Sequence, residues 1–292
     1  MNSKMSFVDV ICITGGVLAA CLTLFALVYL VWMQPFYIAS SYGRFNLAGR
    51  VSEEKTEEIT GNFSSFTIKN VSGPIHIESW DKSSVQVHYI KEARTQEALA
   101  DFTIEIEKTG KNISVRPDYR KGRGLLFGSV SFDIKMPRSI KDIKAENVSG
   151  SIVIEESASN TNQVLSTVSG SIKSAGSKDL NARSTSGSIR FSSTGNKLYL
   201  KTVSGSIEGK ILNLDRSGSV DIGSVSGSVE VEAVKDLDAD LVLNSTSGSL
   251  SCDFTLSTTL MKRNRIEGKI GQGTVPFRVK TVSGRIRLKK LD

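Results

Sequence analysis

Several chemistries are missing from this 292-residue chain. It holds three cysteines; Cys12 and Cys21 fall in an apolar amino-terminal stretch, which leaves Cys252 alone and excludes a disulfide framework. It holds two histidines, His76 and His88, with no cysteine-rich or carboxylate-rich spacing beside them, so no metal site is expected. Both sit in alternating segments, on the face opposite Ile75/Ile77 and Val85/Val87, as neighbours on a sheet surface. Nothing marks a nucleophile elbow, and Gly-x-Gly-x-x-Gly signatures are absent. Polysaccharide-cleaving solenoids need clustered carboxylates or calcium ligands, whereas Glu155, Glu156, Asp221, Glu230 and Glu232 are scattered. Asn-Gly and Asp-Gly pairs, the signal of two-residue hairpins, do not occur, which argues against a sandwich of repeated hairpins. No catalytic residue, metal ligand or cofactor is expected.

What is present is a repeat. A Val-Ser-Gly-Ser-Ile string recurs around Gly73, Gly150, Gly170, Gly187, Gly205, Gly227, Gly248 and Gly284, with a weaker copy at Gly268. From Gly150 to Gly248 the steps are 20, 17, 18, 22 and 21 residues. A period of about 20 residues marks a solenoid, in which each unit buries its apolar side only against its neighbours. Counted from the glycine, offsets minus seven and minus five are apolar, as in Val220 and Ile222 or Phe277 and Val279. Offsets plus two and plus four are apolar as well, as in Ile75 and Ile77 or Ile286 and Leu288. These pairs have the period of two of a strand. Offset minus two is usually valine and is expected to point inward, which requires a bulge or corner between minus five and minus two. The glycine either takes a positive φ at a corner or faces inward where no Cβ fits. The expected fold is all-β: a parallel β-solenoid of roughly 20-residue repeats, preceded by one amino-terminal transmembrane helix.

That helix is read from Ile11 to Met33, an uncharged stretch with Thr14 and Thr23 as its clearly polar members. About 20 apolar residues cross a bilayer core. Leu18-Ala19-Ala20-Cys21 looks like a lipoprotein cleavage box, but Leu22 to Met33 stays apolar beyond it, so an uncleaved signal anchor is expected. Flanking charges barely favour either orientation. The resulting division is a tail over 1–10, a transmembrane helix over 11–33 and a linker over 34–60. A cap with irregular β structure follows over 61–140, and regular solenoid repeats over 141–292. Within the cap, strands are expected at Ser84–Ile90, Phe102–Glu107, Asn112–Arg116 and Val130–Met136, with a short helical turn or loop at Ala93–Ala100.

Positive charge is uneven. Between Leu260 and Asp292 stand ten basic residues against Glu267 and Asp292, so the rest of the chain is near neutral. Attraction to an anionic surface is expected at Lys262, Arg263, Arg265, Lys289 and Lys290; the glycine-spaced loop carrying Arg116, Arg120, Lys121 and Arg123 either makes a second such contact or is a hairpin whose apolar tip, Leu125-Leu126-Phe127, folds back onto the cap. Cationic side chains at an exposed solenoid end would equally block end-to-end stacking. Nucleic acid is not expected, because the basic run has no reading motif and almost no interleaved aromatics.

Val130-Ser131-Phe132-Asp133-Ile134-Lys135-Met136-Pro137, leading to Ile143 and Asn147-Val148-Ser149-Gly150-Ser151-Ile152, carries a family resemblance. With its later copies it resembles the bacterial "putative adhesin" family with β-strand repeats, a domain of unknown function; the match covers roughly residues 60 to 290. The resemblance implies a surface or envelope-facing domain tethered by one membrane helix, with no catalytic residues to carry over. The implied function is a membrane-anchored, non-catalytic scaffold or binding module of adhesive type. The alternatives are an envelope stress or sensory accessory protein acting through protein partners, and a glycan-active enzyme. The expected partners are membrane lipid through the apolar residues 11–33 and, from the basic residues, an anionic envelope polymer or envelope protein. The implied location is the cell membrane, single-pass, with the carboxy-terminal domain outside the cytoplasm.

Overall fold

The computed structural model describes residues 50–119, 128–155 and 160–291. The chain begins with β1 (Val51–Ile59), β2 (Ser65–Ser72), β3 (Ile75–Trp80) and β4 (Val85–Ala93). A short helix, α1 (Gln96–Ala100), leads to β5 (Phe102–Thr109), β6 (Asn112–Tyr119) and β7 (Ser129–Pro137). The regular part opens with β8 (Asp142–Ser149) and β9 (Ile152–Ile154), then β10 (Thr161–Ser169), β11 (Ile172–Ser186) and β12 (Ile189–Ser204). It continues through β13 (Ile207–Ile211), β14 (Ser219–Ser226), β15 (Val229–Ala233), β16 (Ala239–Ser245) and β17 (Leu250–Cys252). The last strands are β18 (Ser257–Lys262), β19 (Arg265–Ile270), β20 (Val275–Ser283) and β21 (Ile286–Lys290).

Each Ser-Gly-Ser corner divides a coil into two strands, and the coils stack into two walls. The front wall runs, all parallel, β6, β2, β8, β10, the second half of β11, the second half of β12, β14, β20 and β16. The back wall runs, also parallel, β7, β3, β9, the first halves of β11 and β12, β13, β15, β21 and β17. Antiparallel strands close the ends: β5 on β6, β4 and then β1 on β7, and the β18–β19 hairpin on β16. Val51–Ile59, at the end of the stretch expected as a linker over 34–60, forms the edge strand β1 on β4. Inward side chains of both walls merge into one apolar core that includes Phe66, Ile77, Phe132, Ile189, Leu200, Ile222, Phe277 and Leu288.

The corner glycines form a column without room for side chains. A Cβ on Gly150 would stand 2.2 Å from the carbonyl oxygen of Gly73, and one on Gly187 2.0 Å from that of Gly170. Gly73 at φ +107° and Gly150 at φ +141° also take backbone conformations that favour glycine.

Offset minus three, not minus two, faces inward. Asn70, Asn147, Thr167, Ser184, Thr202, Ser224, Ser245 and Thr281 are buried, whereas Val71, Val148, Val168, Val203 and Val225 are half-exposed and Val282 is exposed. Alternation thus runs unbroken from minus seven to the corner, and no bulge is needed. Burial of a hydroxyl or amide is costly without a partner, and this fold supplies one: the carbonyl of the corner glycine one coil below. Asn147 Nδ2 donates to Gly73 O at 2.8 Å, Ser184 Oγ to Gly170 O at 3.1 Å, Thr202 Oγ1 to Gly187 O at 3.0 Å and Ser224 Oγ to Gly205 O at 3.0 Å.

Stacking order departs from chain order near the carboxy terminus. Strands β20 and β21 lie between the β14–β15 coil and the β16–β17 coil. Gly268 occupies no corner; it lies within β19, facing Leu241 across an antiparallel ladder.

Among the described residues no helix is long and apolar enough to cross a membrane. Helix α1 has five residues, at about 1.5 Å each, against a bilayer core of about 30 Å. Residues 11–33 lie outside the described residues. The transmembrane helix in the expected fold is corrected accordingly, and with it the membrane-anchored function, the lipid contact through residues 11–33 and the single-pass location.

Candidate ligand-binding face

Outward side chains on the two walls differ in how their charges are matched. On the back wall, successive coils pair cation with anion: Lys135 with Glu78 at 2.9 Å, Lys173 with Glu155 at 3.3 Å, Arg190 with Glu208 at 3.6 Å and Lys210 with Glu232 at 3.2 Å. His76 and His88 stand on this face, on either side of Asp133 in the ladder. His76 Nδ1 is 3.2 Å from Asp133 Oδ1, and His88 Nδ1 is 2.9 Å from Thr56 Oγ1. Among the described residues no group of three or more His, Cys, Asp or Glu side chains is placed to hold a metal ion.

On the front wall the matching fails in the middle of the stack. At its start, Glu146 is held by Lys144 at 2.8 Å and Lys69 at 3.3 Å. Partial burial works to raise the Glu146 pKa, but the two lysines together hold it below the usual carboxylate range. Further along, offset minus four brings Arg183 beside Lys201, with Lys280 next but one across Gly223. Offset minus six brings Tyr199, Asp221 and Arg278 into adjacent positions. Lys201 Nζ contacts Asp221 at 2.6 Å. Arg183 and Lys201 lie 4.9 and 5.0 Å from the Tyr199 ring centroid, in cation–π geometry. Four cations thus surround one carboxylate and a surface tyrosine that is 37% exposed. Val203, Val225 and Val282, at offset minus two, border the patch as an apolar stripe.

The basic residues expected to meet an anionic surface are dispersed. Arg116 is held by Glu105 at 2.8 Å and Glu107 at 3.4 Å, near the opposite end of the stack from the β18–β19 hairpin; Arg120, Lys121 and Arg123 lie outside the described residues. Lys262 and Arg263 are exposed at the tip of that hairpin, and Arg265 pairs with Glu267. Lys289 lies 2.5 Å from Glu230 on the back wall, and Lys290 Nζ sits 5.6 Å from the Phe254 ring centroid. Hydrogen bonding from Lys289, with Arg287 and Arg285 nearby, holds the Glu230 carboxyl below its ordinary range despite some desolvation. Of that basic run, the cations of β20 and β21 lie inside the stack, whereas Lys262, Arg263 and Lys269 stand on the hairpin that closes its front wall.

Sequence reading by proximity missed the Arg183–Tyr199–Lys201–Arg278–Lys280 patch. The signal available was the minus-four and minus-six columns, which are outward on every coil. Bringing Arg278 and Lys280 alongside Lys201 also required the out-of-order coil.

A family described as Toastrack DUF4097 matches residues 55–289. Among curated proteins none matches. Solved structures with a similar fold include a "putative cell adhesion protein" from Clostridium sporogenes, 10% identical, covering 82% of this chain and 100% of its own, at a TM-score of 0.38. A "putative adhesin" from Bacteroides fragilis is 14% identical, covering 81% and 97%, at 0.40. A "putative lipid binding protein" from Parabacteroides distasonis is 13% identical, covering 82% and 97%, at 0.30. Likenesses this remote assign no function to the chain.

Proposed function

We propose a function from the premise that this chain belongs to the Toastrack DUF4097 family: it is a non-catalytic binding scaffold of adhesive type, whose front wall takes up an anionic polymer. One observation carries the reading. Arg183, Lys201, Arg278 and Lys280 are brought from three coils to one face around Tyr199, with Asp221 as the carboxylate among them. The strands beneath are hydrogen-bonded on both sides, so the cations project from a stiff surface. Neighbouring coils lie about 4.8 Å apart, which suits a chain carrying closely spaced negative charges. Tyr199 adds a flat apolar surface for the polymer backbone. The back wall, with its charges already paired, provides the internal comparison.

Binding of the full chain to polyphosphate and to poly-L-glutamate tests this. The combined Arg183→Gln, Lys201→Gln, Arg278→Gln and Lys280→Gln variant should bind at least about tenfold more weakly at roughly 0.1 M salt, with a shallower salt dependence. Lys173→Gln with Arg190→Gln, on the back wall, should leave binding unchanged. Equal affinity in the front-wall variant overturns the proposal.

A further inference from the structure

The two walls end unequally. Past β16 the front wall continues through β19 and β18, whereas the back wall stops at β17. Inward side chains of the hairpin consequently face a position that no described strand occupies. Met261, across from Ile266 in the hairpin ladder, is 68% exposed for this reason. Between hairpin and β17 lies a cavity of about 1110 Å³, its floor formed by Leu250, Cys252, Phe254, Leu256 and Ile266 and its lip by Lys262 and Arg263.

The open edge of β17 has a full set of backbone groups to offer. Pairing with β21 uses Ser249 O, which accepts from Ile286 N at 2.9 Å, and Asp253 N, which donates to Leu288 O at 3.0 Å. Alternation along a parallel ladder therefore turns the N–H and C=O groups of Leu250 and Cys252 to the other side, where no described residue bonds them. An unpaired edge above an apolar floor is the geometry that accepts an added strand.

Charge selects the occupant. Lys262 and Arg263 are exposed, with no carboxylate in ion-pair distance among the described residues. A second copy would bring an identical basic lip against this one and be repelled. We propose that the β17 edge and the adjoining cavity bind an extended acidic peptide. Its strand would pair with Leu250 and Cys252, its alternate apolar side chains would enter the cavity, and its carboxylates would meet Lys262 and Arg263. This site is separate from the front-wall patch and stands without it.

The test uses the full-length protein and a fluorescent peptide of alternating valine and glutamate. Saturable binding is expected, with hydrogen-exchange protection at Leu250 and Cys252. Lys262→Glu with Arg263→Glu, both on an exposed tip where folding is not at stake, should weaken it at least tenfold. N-methylating alternate peptide amides on the pairing edge should abolish it, and the Arg183→Gln/Lys201→Gln variant should leave it intact. The proposal is overturned if the peptide does not bind or if the N-methylated peptide binds equally well. It is likewise overturned if charge reversal has no effect, or if binding is lost only in the front-wall variant.

Discussion

Gly284 rests on Gly227, not on Gly248. A Cβ on Gly284 would lie 2.1 Å from the carbonyl oxygen of Gly227, and one on Gly248 would lie 1.9 Å from that of Gly284. The final Val-Ser-Gly unit is thus the neighbour of two units that follow each other in sequence order.

Close approach in this column makes alanine intolerable at the corners. Gly187→Ala sets a methyl 2.0 Å from backbone that is itself held in two ladders, and should cost at least about 3 kcal/mol of stability. Gly110→Ala meets no atom within 4 Å and pays only for its φ of +59°, about 1 kcal/mol. Urea denaturation of the two variants checks the contrast; equal losses would mean that the column is not close-packed.

Removing a rung of the hydroxyl ladder should be milder. Thr202→Val keeps the shape of the side chain and deletes the 3.0 Å bond to Gly187 O, costing about 1 kcal/mol. Thr202→Ser keeps the donor and should recover most of that loss. Denaturant midpoints of the two variants decide it, and a valine variant as stable as the parent would remove the ladder from the account of stability.

Acid should loosen the pairing across β15 and β21. Because Lys289 and its neighbours depress the Glu230 pKa, their contribution is complete above the unfolded carboxylate value of about 4.3. It fades as pH falls through the lower folded value. Glu230→Gln should lose that part of the acid slope, read as melting temperature against pH. An unchanged slope would show that Glu230 is not among the groups responsible.

Alkali acts at the other end. Burial pushes the Tyr119 phenol up to about 12, and its hydroxyl has no hydrogen-bond partner among the described residues. The fold therefore favours the neutral form, so this stabilising preference is intact below about pH 10 and is lost as pH rises toward 12. Tyr119→Phe should abolish that high-pH loss and gain up to about 1 kcal/mol at neutral pH by removing an unsatisfied polar group. Phenolate absorbance and denaturation of the variant test both statements.

The aliphatic columns at minus seven, minus five, plus two and plus four were legible because they follow the period of a strand and nothing in the tertiary structure competes with it. Val225 and Ser224 exchanged roles for a tertiary reason: a serine reads as a surface residue until a glycine carbonyl is placed beneath it. The same column unmasks the false copy, since Gly268 has Arg265 at minus three where every stacked unit has Asn, Ser or Thr. Coil order was illegible, because β16 and β20 carry equivalent faces, Leu241 and Leu243 against Phe277 and Val279, and either could lie on Val220 and Ile222. Half of the front-wall patch was hidden with it, as Arg278 and Lys280 reach the coils of Arg183 and Lys201 only through that order.

That equivalence has a kinetic consequence. In the chain β16 and β17 follow β14 and β15 directly, so they can reach the flank of β14 and β15 before the more distant β20 and β21. Docking there would give an in-sequence stack with matched aliphatics and a matched glycine corner, a competing state that would have to come apart before the later pair could be inserted. Non-local strand pairing is slow, and kinetic traps become common in chains of this size. Refolding should therefore show a slow phase that shortens when the β16–β17 docking surface is weakened, even though such a change also weakens the finished protein.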